Sequence, residues 1–142
     1  MNRTAARPEP RFWQMIGLRV LTREPGLFRA ELDVGEEHLN PGGGAHGGIM
    51  ATMIDSACAS AGVVGPDGTA ARSVVTLSLT VNYTGVAREG RLTVVGRVLS
   101  SGRKIFSAEA EVHHDDGTLI AHGVATLRYI HRAEEHVEGE KS

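Results

Sequence analysis

Thiols are almost absent from this sequence, which has one cysteine, Cys58, among 142 residues. A single thiol cannot form an internal disulfide, and it has no second thiol with which to build a structural zinc site. The seven histidines also show no paired ligand spacing. We therefore expect no metal, no cofactor, and a reducing compartment, the cytoplasm.

Long apolar runs and surplus positive charge are missing too. The apolar stretches are broken by Gly, Thr and Asp before they reach membrane-spanning length, and the N-terminus lacks the apolar core of a signal peptide. Lys and Arg number 15, against 17 Asp and Glu, and they are spread along the chain rather than clustered. These features predict no membrane partner and no nucleic-acid partner.

The composition that remains, 41% apolar and 23% charged, is that of an ordinary globular domain. A chain of this length buries enough surface for one core. Both ends are polar and lack periodicity, which predicts flexible tails at residues 1–11 and 133–142. The folded domain is expected over residues 12–132.

Alternation of apolar and polar residues with period two predicts most of the strands. The segments are 28–34, 75–82, 92–99, 104–112 and 118–130, with turn residues between the later ones. In the second of them, Val75, Leu77, Leu79 and Val81 are expected on one face. Residues 11–20 suit a short amphipathic helix or a strand, and periodicity does not separate the two.

One long helix is predicted over residues 47–62. The segment contains helix formers and no proline, and it is apolar or small nearly all round, which is typical of a helix buried on most sides. A single helix followed by several strands favours an α+β fold in which one antiparallel sheet wraps around the helix.

Asp55 is the only charged residue between His46 and Asp67, and it lies in the middle of this helix. A buried carboxylate without partners costs several kcal/mol, so such a residue is either hydrogen-bonded for structural reasons or retained for chemistry. Cys58 lies three residues further on, but no histidine is placed locally to activate it. We interpret Cys58 as packing.

A glycine-rich turn, residues 40–48, precedes the helix. Its bare backbone leaves the first N–H groups of the helix open to an anion or a carbonyl oxygen, although a flexible corner would need the same glycines. His46 at its end is a candidate base, a donor to a carbonyl, or a helix cap.

Taken together, Asn40, Gly43, His46-Gly47-Gly48 and Asp55-Ser56-Ala57 resemble the PaaI-like branch of the hotdog-fold thioesterases. The similarity continues over nearly all of residues 16–130. The resemblance implies a long central helix wrapped by five or six antiparallel strands. It further implies a homodimer joined through sheet edges, or a homotetramer made of two such dimers, with active sites between subunits.

The resemblance also assigns roles. The Gly47 N–H polarises a thioester carbonyl, with Asn40 and His46 contacting that end. Asp55 from the partner subunit is the nucleophile or the general base, and Thr76 orients the carboxylate or the water. The implied substrate is an acyl-CoA with an aryl or medium-chain acyl group.

For the CoA, the resemblance points to three places: Gly48 at the helix start, the segment with Gly85 and Arg88, and the turn Gly102-Arg103-Lys104. Basic side chains there suit phosphates, yet exposed turn charges would look the same.

Two departures from the family pattern concern the pocket. Gly42 or Gly44 is usually bulkier in the family, and Val86 replaces a proline. The small glycines suggest room for a bulky acyl group.

Two other functions compete with hydrolysis. A noncatalytic hotdog module would bind an acyl-CoA or aromatic ligand, but it has no need of a carboxylate in the helix. A hotdog dehydratase would require a different histidine motif for proton abstraction, and the sequence does not show it.

Overall fold

The computed structural model of the chain describes residues 9–64 and 72–130. The elements in chain order are α1 (Arg11–Ile16), β1 (Arg19–Glu24), β2 (Leu27–Asp33), a 3-10 turn (Glu36–His38), α2 (Gly47–Val63), β3 (Ser73–Tyr83), β4 (Arg91–Ser101), β5 (Ile105–His114) and β6 (Leu119–Ile130).

The strands form one antiparallel sheet in the order β1-β2-β4-β5-β6-β3. Helix α2 contacts all six strands, so the sheet curves around it. This is the hotdog arrangement, and the α+β prediction is confirmed.

The core lies between α2 and the concave face of the sheet. One side of the helix is fully buried there, through Met53, Ile54, Ala57 and Cys58. β4 approaches so closely that a Cβ at Gly96 would lie 2.5 Å from the carbonyl oxygen of Ala57. Any side chain at Gly96 would therefore push the helix out of the sheet.

The sequence did not predict the strand β1, and it did not predict the position of β3 within the sheet. Residues 11–20 contain both candidate structures, a helix to Ile16 and then a strand from Arg19, joined at Gly17 in the left-handed conformation. β4, β5 and β6 are consecutive neighbours, as expected of a meander, but β3 lies beside β6 at the edge. Order within a sheet depends on long-range pairing, which period-two patterns do not encode.

β3 also contradicts the predicted faces. A register shift between Thr76 and Ser78 inserts one extra residue, Leu77, into the pairing with β6. Thr76 is therefore opposite Leu127 on the concave face, together with Leu79, while Leu77 is 54% exposed. A bulge of this kind moves side chains to the other face, because the strand period is two.

The chain ends lie mostly outside the described residues. Glu9, which the sequence analysis assigned to the tail, forms a salt bridge with Arg23 at 2.7 Å. Residues 1–8 and 131–142 are not described, so the domain bounds stay a prediction. No helix within residues 9–64 and 72–130 is long and apolar enough to cross a membrane.

Candidate active site

Asp55 lies on the side of α2 that faces β3, and it is partly exposed. Its Oδ1 accepts a hydrogen bond of 2.7 Å from the hydroxyl of Thr76. The β3 bulge makes this contact possible, because it brings Thr76 to the concave face. One carboxylate oxygen is thus held in place, and the carboxylate remains reachable from outside.

Gly47 is the first residue of α2, so its N–H has no partner one turn back in the helix. The next two N–H groups are engaged: Gly48 donates to the His46 ring, and Ile49 donates to the His46 carbonyl oxygen. In the described part of the chain, no acceptor engages the Gly47 N–H. This donor, at the positive end of the helix dipole, suits a developing oxyanion.

His46 is the N-cap of α2. Its Nδ1 accepts from the Gly48 N–H at 2.9 Å, so in the neutral ring the proton is on Nε2. The cap interpretation is therefore supported by geometry. A donor role through Nε2 is compatible with the cap, whereas Nδ1 is not available as a base.

Asn40 organises the glycine-rich turn. Its side-chain oxygen accepts from the N–H groups of Gly42 and Gly44, at 3.0 and 3.1 Å. Its backbone N–H donates to the Gly44 carbonyl oxygen at 2.7 Å. With the oxygen used in this way, the side-chain amide nitrogen is the group left to donate to a ligand.

Two residues that the sequence analysis did not single out also hold this region. His38 is 2% exposed; its Nδ1 accepts from the Gly35 N–H, and its Nε2 bonds to the Ile16 carbonyl oxygen at 2.6 Å. Tyr83 donates its hydroxyl to the Gly47 carbonyl oxygen at 2.7 Å. The signal for Tyr83 was its place at the end of β3, on the same face as Leu79 and Val81, but its contact with Gly47 comes from the fold.

Comparison with known proteins concerns the family and the fold. A family model described as the thioesterase superfamily matches residues 42–121, which include residues 42–48 of the glycine-rich turn and Asp55.

The chain belongs to the thioesterase superfamily.

Individual relatives have low sequence identity, but the similarity covers most of this chain. Acyl-coenzyme A thioesterase 13 of Homo sapiens is 28% identical over 121 residues, which cover 79% of this chain and 80% of the human protein. The solved structure of conserved protein PA5202 from Pseudomonas aeruginosa, 28% identical, has a TM-score of 0.78 over 85% of this chain and 94% of its own. The E. coli PaaI protein of the phenylacetic acid degradation operon has a TM-score of 0.78 over 87% of this chain and 86% of its own. At 18% identity, that last likeness concerns the fold alone.

Membership of the superfamily makes the protein a thioester hydrolase. Cys58 is not a competing nucleophile in this thioesterase. It is fully buried, and burial, followed by the nearby carboxylates of Asp55 and Glu109, raises the pKa of its thiol to about 12. The thiolate is therefore negligible near neutral pH, which agrees with the packing interpretation.

Two of the three glycines at positions 42–44 have a side-chain atom of another residue close to where a Cβ would lie. A Cβ at Gly43 would lie 3.2 Å from Arg88 Nη1, and one at Gly44 would lie 2.8 Å from Val86 Cγ1. Val86 thus occupies the space that a side chain at position 44 would need. A Cβ at Gly42 would be in ordinary contact with Asn40 Oδ1, at 3.4 Å, so the entry is filled at Gly44 but not at Gly42, and the bulky acyl group stays a prediction.

Of the three predicted CoA places, Gly48 and the segment with Arg88 lie at the start of α2, and the turn with residues 102–104 lies near its other end. Arg88 donates to the Gly42 carbonyl oxygen at 2.9 Å, beside the start of the helix. The turn that contains Arg103 and Lys104 is near the other end, where Tyr129 bonds to Lys104 through its N–H and to Gly62 through its hydroxyl. One chain therefore does not bring these segments together.

Gly85 belongs to the segment of Arg88, and its backbone is fixed just after the end of β3. Its N–H donates to the Ile120 carbonyl oxygen at 3.1 Å. A Cβ there would lie 3.1 Å from Ile120 Cδ1. This glycine permits close packing onto β6, and it keeps the segment leading to Arg88 against the body of the protein.

Proposed function

We propose that this thioesterase hydrolyses acyl-CoA thioesters, with the Asp55 carboxylate as nucleophile or general base and the Gly47 N–H as the oxyanion donor. The observation that carries the proposal is the 2.7 Å hydrogen bond from Thr76 to Asp55, because it orients a reachable carboxylate in an otherwise apolar helix. The human relative is named as an acyl-coenzyme A thioesterase, which supports CoA as the leaving group.

The reaction needs water and no other co-reactant. Attack on the thioester carbonyl carbon, by water or first by the Asp55 carboxylate, forms the new C–O bond and places negative charge on the carbonyl oxygen. The Gly47 N–H stabilises that oxygen, with the Asn40 amide and His46 Nε2 as further donors. When water attacks, Asp55 takes its proton, and collapse breaks the C–S bond, leaves the free acid and passes that proton to the CoA thiolate. When Asp55 attacks, collapse releases the CoA thiolate and leaves an acyl–Asp55 anhydride; water then hydrolyses the anhydride to the free acid and the Asp55 carboxylate, and the proton released goes to the thiolate.

The proposed site requires two chains. Asp55 follows Gly47 by eight residues in the same helix, which corresponds to roughly 12 Å along the axis at 1.5 Å per residue. A productive complex brings the reacting atoms to about 3–3.5 Å. The Gly47 N–H of one subunit must therefore work with the partner subunit's Asp55.

The edge strand β3 provides a way to form that pair. Its 11 residues include no Asp, Glu, Lys or Arg, and both Val75 and Leu77 are exposed. A twofold antiparallel pairing of β3 with the partner's β3 would place the Tyr83 end of one strand beside the Thr76 region of the other. Since Tyr83 contacts Gly47 and Thr76 contacts Asp55, this pairing joins the two halves of the site.

The same pairing would bring the CoA segments together. It moves the partner's turn, which contains Arg103 and Lys104, toward Arg88 and Gly48 at the start of α2. Basic groups from two subunits would then surround the phosphates. A homodimer is the smallest assembly that this proposal allows; the homotetramer and the cytoplasmic location remain predictions.

The test is release of free CoA, followed with a thiol reagent, from a panel of aryl and medium-chain acyl-CoAs. Wild type should turn over at least one of them, and Asp55→Asn should lower kcat by roughly 10²–10⁴-fold, as expected for loss of a general base or nucleophile. Asp33→Asn, at the end of β2, which β4, β5 and β6 separate from β3 in the sheet, is the matched control and should keep full activity.

Two results would contradict the proposal. If folded wild type releases no CoA from any substrate while an acyl-CoA raises its melting temperature, the noncatalytic binding module is the better description. If Asp55→Asn retains wild-type kcat, hydrolysis occurs but not through this carboxylate.

A further inference from the structure

Glycine at the start of α2 leaves the direction of the Gly47 N–H poorly restrained by the chain itself. Gly47 and Gly48 lack side chains, so their backbone has more freedom than that of other residues. An oxyanion donor works only if its N–H is aimed at the oxygen before the charge develops. The Gly47 N–H therefore needs its direction held by something other than its own side chain.

The peptide groups on both sides of Gly47 are held by hydrogen bonds. The preceding group is fixed because the His46 carbonyl oxygen accepts from the Ile49 N–H at 2.9 Å. The following group is fixed at both ends, since Gly48 N–H donates to the His46 ring and the Gly47 carbonyl oxygen accepts from the Tyr83 hydroxyl. Of these contacts, only the one from Tyr83 comes from the sheet.

The Tyr83 ring also lies against Gly47. A Cβ at Gly47 would lie 3.1 Å from both Cζ and the hydroxyl oxygen of Tyr83, which is tighter than ordinary contact. The contact thus depends on glycine at position 47. Tyr83 itself is 51% exposed, so core packing does not account for its orientation.

We propose that Tyr83 is a positioning residue for hydrolysis: its hydroxyl fixes the Gly47–Gly48 peptide group and thereby aims the Gly47 N–H at the thioester oxygen. This inference rests on the proposed function of Gly47. β3 then supports both halves of the chemistry, Asp55 through Thr76 and the oxyanion donor through Tyr83.

The chain offers a matched control. It contains two tyrosines, and both donate to glycine carbonyl oxygens of the same helix. Tyr83 bonds to Gly47 at the start of α2, at 2.7 Å, and Tyr129 bonds to Gly62 near its end, at 3.0 Å. Replacing either tyrosine by Phe removes one hydroxyl and keeps the ring, so a general effect on the helix should appear in both variants.

The experiment compares Tyr83→Phe with Tyr129→Phe in the full chain. Tyr83→Phe should lower kcat by about tenfold with KM within twofold of wild type. The loss is smaller than the 10²–10³ expected for removing a donor, because the N–H stays but is aimed less uniformly. Tyr129→Phe should keep wild-type kcat even if its melting temperature falls as much or more.

A second readout does not depend on turnover. The Gly47 amide resonance should shift, and its hydrogen exchange should quicken, in Tyr83→Phe but not in Tyr129→Phe. If wild type is inactive on every acyl-CoA, the proposed function fails and this readout alone decides the Tyr83 inference. An unchanged Gly47 amide, an unchanged kcat in an active enzyme, or equal losses of kcat in both Phe variants would overturn it.

Discussion

The two edge strands of the sheet, β1 and β3, differ in charge. The β1 edge is charged: Arg19 of this strand bonds to the Asp33 carboxylate of β2, which also bonds to Arg91 of β4, each with a nitrogen 2.9 Å from one of its oxygens. The β3 edge has no charged residue over Ser73–Tyr83, and Val75 and Leu77 expose 43% and 54% of their surface. Charged edge regions discourage pairing with further strands, whereas an uncharged, apolar edge invites it.

This difference indicates which edge is built to be covered. The candidate catalytic contacts, Thr76 to Asp55 and Tyr83 to Gly47, all lie along β3. At the β1 edge, by contrast, Arg19 and Arg23 of the strand form ion pairs with carboxylates on the outside of the protein. We infer that the uncharged edge and the unfinished site have one cause, the need for a second subunit.

The largest expected effect comes from placing charge on the β3 edge. The double substitution Val75→Lys and Leu77→Lys should give a monomer, and kcat/KM should fall by at least about 100-fold, because one chain cannot bring Asp55 to Gly47. Light scattering after size exclusion and CoA release measure the two properties.

Leu21→Lys is the control for that experiment, since Leu21 lies on β1 and is 47% exposed. It should leave both assembly and activity as in wild type. A folded Lys double variant that is monomeric and fully active would show that one chain is sufficient, and a double variant that stays dimeric would exclude β3 as the interface.

A smaller effect is expected inside the site. Thr76→Val keeps the shape of the side chain but removes its hydrogen bond to Asp55. Hydrogen bonds to charged groups are worth about 1.5–3 kcal/mol, so kcat should fall by roughly 10- to 100-fold, measured by steady-state CoA release. Thr80→Val, on the opposite face of the same strand, should have no such effect; equal losses would mean that β3 is sensitive to any change.

The smallest effect concerns the β1 edge. The hydrogen bond from Arg91, together with Arg19, lowers the pKa of Asp33. A lowered pKa stabilises the fold above the unfolded value of about 3.9, and the contribution is lost as pH falls through the folded pKa. The melting temperature of Asp33→Asn should therefore be slightly lower than that of wild type at pH 5–7. The difference between the two melting temperatures should disappear toward pH 3.

Salt provides the second check on that prediction. Since these groups are exposed, added salt should also narrow the gap between Asp33→Asn and wild type. If the difference in melting temperature is the same at every pH and salt concentration, the charge of Asp33 is not its cause. Differential scanning calorimetry across this range is sufficient to decide.

Local pattern was enough to predict much of the molecule. An apolar, proline-free segment predicts α2 almost to its last residue, and alternation predicts β2 to β6 within a few residues. The isolation of Asp55 in that helix marked it as a candidate, and the burial of Cys58 agreed with its expected packing role. These properties depend on neighbours in sequence, which a sequence displays directly.

Only the tertiary structure decided where the strands lie and which way their residues point. Alternation alone places Thr76 on the face opposite Leu79, and a one-residue bulge at Leu77 reverses this and brings Thr76 to Asp55. Tyr83 lies beyond the bulge and keeps the face of Leu79 and Val81, but only the fold brings its hydroxyl to Gly47. The alternation of apolar and polar residues does not reveal where an extra residue is inserted into the pairing. The position of the bulge is decided by pairing with β6, which lies more than 40 residues from Leu77 in the chain.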